Sequence, residues 1–126
     1  MNIPKILIVD FDGTLVENAY PEIGELRKNA KEVITKLFDE GFVIIINTCR
    51  AGIYEGEVYT FLRKNEIPFN YINCNLPSQI EYFGMDCRKL SGDIYIDDKQ
   101  LGGIPDDWDV IYELVHKQIK MQDEKV

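Results

Sequence analysis

Several residue types are scarce in this chain, and each scarcity removes a class of function. Among its 126 residues there are three cysteines and one histidine. Cys49, Cys74 and Cys87 are odd in number and lack metal-ligand spacing. That argues against a zinc site and a disulfide framework, and it suits free thiols in a reducing compartment. His116 falls in a helical pattern, so Cys49 has no evident base and is a poor nucleophile candidate. No apolar run approaches the ~20 residues of a membrane span. Met1-Asn2-Ile3-Pro4-Lys5 leads directly into the first apolar stretch without a signal peptide, so a cytoplasmic protein is expected. Positive charge is also short: 14 Lys and Arg against 22 Asp and Glu leave a formal net charge of −8. Lys117, Lys120 and Lys125 are scattered among acids and amides, and no basic patch offsets the rest. Polyanions, nucleic acid included, are therefore poor partners. Internal repeats, low-complexity tracts and linkers are missing too, so residues 1–126 read as one domain.

What is present is organised around Lys5-Ile6-Leu7-Ile8-Val9-Asp10-Phe11-Asp12-Gly13-Thr14-Leu15. The β-branched run predicts a strand buried on both faces. It ends in two carboxylates, and a buried charge needs a partner. Asp10 and Asp12 are two apart, so on extended backbone their side chains point the same way. Like charges at that separation repel unless a cation sits between them. Gly13 allows a sharp turn.

The polar stretch Val16 to Leu26, with Tyr20, Pro21 and Gly24, reads as a loop or flap. Ala30, Val33, Ile34, Leu37 and Phe38 recur at helical spacing, and Gly41 is placed to stop that helix. Phe42 to Ile46 is a second buried strand, running into Asn47-Thr48-Cys49-Arg50. Val58, Phe61 and Leu62 mark a second helix that ends before Pro68. Pro68 to Ile72 is a weaker strand, and Gln79 to Phe83 a short helix. Asp93 to Asp98 is a fourth strand, again ending in two acids. Asp106 is placed to cap a last helix with Trp108, Ile111, Tyr112, Val115 and Ile119 on one face, and the tail from Gln122 is expected to fray. Alternation of this kind predicts an α/β, Rossmann-like fold, a mostly parallel sheet with helices on both faces.

Parallel strands end along one edge, so Asp10 and Asp12, Thr48 and Arg50, and Asp97 and Asp98 are expected to converge. Oxygen-only ligands point to a hard ion, Mg²⁺ leading. Lys89, just upstream of the fourth strand, can add positive charge. Arg50 either clamps a substrate phosphate or pairs with a carboxylate.

Asp10-Phe11-Asp12-Gly13-Thr14-Leu15 matches the DxDGT signature of the haloacid dehalogenase (HAD) superfamily. Thr48, Lys89 and Asp97-Asp98 resemble its second, third and fourth motifs in order. The resemblance spans nearly the whole chain and implies a HAD-like fold and a Mg²⁺-dependent phosphomonoester hydrolase. It makes Asp10 the nucleophile that forms an aspartyl-phosphate and Asp12 the general acid, then base. It assigns Mg²⁺ to Asp10, Asp12 through its carbonyl, and Asp97, with Asp98 in support. Thr48 and Lys89 bind and neutralise the phosphoryl group. A general acid at Asp12 is worth ~10²–10⁴-fold and favours phosphate esters over dehalogenation.

Neither Val16 to Leu26 nor Asn75 to Lys89 is long enough to fold as a cap domain. The resemblance is therefore to capless members, which act on large substrates or use a neighbouring copy as a lid. A phosphorylated small molecule or a phosphoprotein is the expected substrate, and homo-oligomerisation stays open. A polynucleotide end phosphatase fits the acidic balance poorly. The alternatives are a phosphotransferase, or a slow or non-catalytic phosphoacceptor resembling a receiver domain. Receivers, however, place the phosphoacceptor on the third strand.

Overall fold

Strand β1 (Ile6–Asp10) is an inner strand of the sheet, as its uninterrupted apolar run requires. The computed structural model describes residues 3–125. After β1 come β2 (Val16–Ala19) and β3 (Glu22–Leu26), α1 (Ala30–Asp39), β4 (Val43–Asn47), α2 (Ile53–Lys64), β5 (Tyr71–Ile72), α3 (Pro77–Phe83), β6 (Ile94–Ile96) and α4 (Trp108–Glu124). The main sheet has the order β5-β4-β1-β6, and every pairing in it is parallel. This is the α/β, Rossmann-like arrangement expected from the alternation of elements. No described helix is long and apolar enough to cross a membrane.

Period-two alternation divides each strand between the two faces. Leu7, Val9, Ile44, Ile46, Ile94 and Ile96 join a core with residues of α1, α2 and α4. Ile6, Ile8 and Ile45 face the other way, against Leu90, with Leu76 at the start of α3 beside them. Helices thus lie on both faces, but unequally, for α3 buries none of its own side chains. Gly92 lets the chain pass close over that second face: a Cβ there would meet Ile8 Cγ1 at 2.4 Å.

Four local expectations are corrected. The stretch Val16 to Leu26, expected as a loop or flap, is an antiparallel hairpin rather than irregular chain. Its outer half is solvent-exposed, so its pairing leaves no apolar alternation in the sequence. The last helix is capped by Asp107, which accepts from Asp109 N. Asp106 instead makes an ion pair with Arg27 at 2.7 Å. The tail does not fray at Gln122. Its Nε2 donates to Asp93 O at 3.0 Å, Asp123 pairs with Lys5 at 3.3 Å, and α4 continues to Glu124. Finally, β5 is only two residues long.

Candidate metal and phosphate site

The register places Asp10 opposite Asn47 and Val9 opposite Ile96. The residues that follow β1, β4 and β6 therefore leave the sheet side by side. Asp10, Asp97 and Asp98 each bring a carboxylate oxygen to within 4.8 Å of the others. Burial pushes the Asp10 carboxyl up to about 7. Hydrogen bonding to Asp98 and the charge of Asp97 add to this, and the Thr14 hydroxyl opposes it. Such a group of hard oxygen donors fits one small divalent cation, whose charge would offset both the burial and the neighbouring carboxylates that raise Asp10.

The turn after β1 is fixed from several sides. Thr14 is fully buried. Its hydroxyl donates to Asp10 Oδ2 at 2.9 Å and accepts from Asp98 N at 3.0 Å. One side chain thereby joins the ends of β1 and β6. Gly13 has φ +85°, and a Cβ there would lie 2.6 Å from Asp98 Oδ2. Only glycine satisfies both the left-handed backbone and this approach. Arg27 Nη1 donates to Gly13 O at 3.0 Å, and the buried Trp108 Nε1 donates to Thr14 O at 2.9 Å.

Thr48 follows β4 and is nearly buried. Its backbone N–H donates to Asn73 Oδ1 at 2.8 Å, and its hydroxyl oxygen accepts from Arg50 N at 3.1 Å. The hydroxyl proton remains available to a ligand oxygen.

Asp12, Arg50 and Lys89 stand apart from the three clustered acids. The Asp12 carboxylate does not join the metal-type cluster. Both its oxygens accept from Arg50, from Nε at 2.7 Å and Nη2 at 2.8 Å. Arg50 is therefore paired with a carboxylate here, which is one of the two readings that the sequence left open. Lys89 is exposed, and its Nζ stands 5.3 Å from the Tyr95 ring centre. The adjacent Leu90 is packed under the second face and its carbonyl accepts from Tyr95 Oη at 2.7 Å, which holds Lys89 over that ring. The structure does not bring Lys89 to the three acids.

Thr14, Arg27 and Trp108 complete the site and were given no role in the sequence reading. Thr14 lay within the recognised motif, so its position was visible. The sequence places Trp108 on one face of the last helix, and its donor role depends on a partner 94 residues away. His116 bonds Glu40 Oε1 at 2.8 Å on the α1–α4 side, so it supplies no base to the exposed Cys49.

No model of a protein family matches the chain. No curated protein matches it. The solved structure of a conserved protein from Bacteroides thetaiotaomicron superposes with a TM-score of 0.82, covering 92% of this chain and 93% of that one. Sequence identity between the two is 37%. Similarity of that extent over nearly the full length of both chains means that this chain belongs to the family of that conserved Bacteroides thetaiotaomicron protein.

Proposed function

We propose that the chain is a Mg²⁺-dependent phosphomonoester hydrolase of the HAD type, with Asp10 as nucleophile. The observation that carries this reading is the convergence of Asp10, Asp97 and Asp98 at the carboxyl edge of the parallel sheet. Mg²⁺ held by these three would offset the charge that otherwise keeps a dianionic phosphate away from a carboxylate. Asp10 attacks phosphorus while the ester P–O bond breaks, and the new bond is an aspartyl-phosphate. Asp12 gives its proton to the leaving oxygen. It later takes one from the water that attacks the phosphorus of the intermediate, so that phosphate departs and Asp10 returns as a carboxylate. Thr48, with its hydroxyl proton unspent, donates to a phosphoryl oxygen.

Two features set conditions on this scheme. Asp12 transfers a proton only when one of its oxygens leaves Arg50. Lys89 neutralises the phosphoryl group only if it swings off Tyr95. While Lys89 remains there, neutralisation would fall on the cation, with Thr48 adding a hydrogen bond.

The test is phosphate release from a panel of phosphate monoesters, with and without Mg²⁺, for wild type and Asp10→Asn. Turnover that requires Mg²⁺ and disappears in the variant is expected. Turnover that survives Asp10→Asn would refute the nucleophile. An acyl-phosphate that forms from a small phosphodonor and persists without turnover would instead establish a phosphoacceptor.

A further inference from the structure

We propose that Arg50 is a positioning residue. It ties the tip of the β2–β3 hairpin to Asp12 and aims the Asp12 carboxyl at the leaving oxygen, one of the two Arg50 bonds opening when the proton is transferred. The second half of this statement rests on the phosphatase reading; the tether does not.

The Arg50 side chain is 1% exposed. A guanidinium has five N–H donors in a fixed fork. Nε and Nη2 take the two oxygens of Asp12, Nη2 also donates to Glu22 O at 2.8 Å, and Nη1 donates to Pro21 O at 2.9 Å. One donor is left, so no substrate phosphate can be gripped bidentately without dismantling this shell. The plane of the group also lies by Tyr20, 4.9 Å from its ring centre.

The hairpin has little else at its tip. Residues Glu17 to Glu22 are exposed, and burial begins again only at Val16 on one strand and Ile23 on the other. The tilted Tyr20–Tyr54 pair, with ring centres 5.7 Å apart, is a further contact of the tip with the α2 side. A turn so poor in apolar burial is held mainly by polar contacts, and Arg50 supplies two of them through backbone carbonyls. Because the same guanidinium bonds Asp12, the orientation of the acid and the placement of the hairpin depend on one side chain. Lysine keeps the charge but cannot reproduce the fork.

Two readouts test this, using the full chain and the variants Arg50→Lys, Arg50→Gln and Asp12→Asn. The first is amide hydrogen exchange across residues 17–23 in metal-free protein. Faster exchange there in all three variants, with β1 and β4 unchanged, is expected. Exchange equal to wild type in Arg50→Lys would overturn the tether, and the folded Asp12→Asn protein keeps the test open if Arg50→Gln does not fold. The second compares an alkyl phosphate with an aryl phosphate whose leaving group departs without a proton. For Arg50→Lys, kcat on the alkyl ester should fall about 10²-fold while the aryl ester falls far less and KM holds for both. Equal losses on the two esters would overturn the positioning of Asp12. A raised KM with unchanged kcat would make Arg50 a substrate contact instead. A wild type that turns over neither ester refutes the phosphatase reading, and with it the positioning of the acid. The tether then stands or falls on exchange alone.

Discussion

Asp10→Asn is expected to make the metal-free protein more stable while it removes the proposed activity. The carboxyl of Asp10 is pushed from its ordinary value of 3.8 up to about 7, first by burial and then by Asp98 and Asp97. In the unfolded chain it ionises near the ordinary value. A carboxyl raised in the folded state adds no cost where both states are protonated, below about pH 4. The cost of ionising it in the fold grows as pH rises and is complete above about 7. At about 1.4 kcal/mol per pH unit this displacement has an upper bound of roughly 4 kcal/mol. Asp10 is only partly buried, and solvent screening reduces the figure to about 2 kcal/mol. Asparagine fits the same space. Its oxygen can accept from Thr14 and its amide can donate to Asp98, without charge. Urea unfolding in EDTA at pH 8 should therefore show the variant about 2 kcal/mol more stable than wild type. The gap should close towards pH 4. Equal stability at both pH values, or a variant less stable at pH 8, would refute the claim that a half-buried, acid-flanked charge at Asp10 destabilises this edge.

Other consequences follow from the same contacts. Mg²⁺ at ~100 times its Kd should raise wild-type unfolding free energy by about 2.7 kcal/mol, and by much less in Asp97→Asn or Asp98→Asn, as read by thermal shift. Mg²⁺ affinity should weaken as pH falls below about 7, because the ion must displace the proton on Asp10; titration calorimetry in two buffers would detect the released proton. Gly13→Ala forces a Cβ to within 2.6 Å of Asp98 Oδ2 at a positive φ, and should cost about 1–3 kcal/mol in unfolding and abolish Mg²⁺ stabilisation. Trp108→Phe leaves the buried Thr14 carbonyl without its donor and should cost about 1–3 kcal/mol by chemical denaturation.

The parts of the fold visible in the sequence were those set by short-range pattern. The apolar runs at residues 6–9 and 42–46 read as buried strands and are β1 and β4 to within a residue, and α1 announced itself through Ala30, Val33, Ile34 and Leu37. The convergence of Asp10, Asp97 and Asp98 was also legible, because parallel strand ends share one edge. Long-range polar pairing was not. Asp106 and Asp107 are adjacent acids, and only the position of Arg27 decides which of them caps α4. The hairpin was hidden because backbone pairing with exposed faces needs no apolar alternation. Arg50 offered two chemically sound partners, and the choice depended on how far the hairpin reaches back over Asp12. Lys89 sits in a stretch without periodicity, where the burial of Leu90 sets its direction.

The central claim is that Asp10 carries the phosphoryl group. The protein would be mixed with Mg²⁺ and a phosphate ester it hydrolyses, quenched during turnover, and treated with borohydride, which reduces an aspartyl-phosphate to homoserine. Mass spectrometry of the tryptic peptides should then locate homoserine at position 10, in the peptide spanning residues 6–27, and at no other aspartate. Turnover without that conversion, or conversion at Asp12, Asp97 or Asp98 instead, would contradict the account.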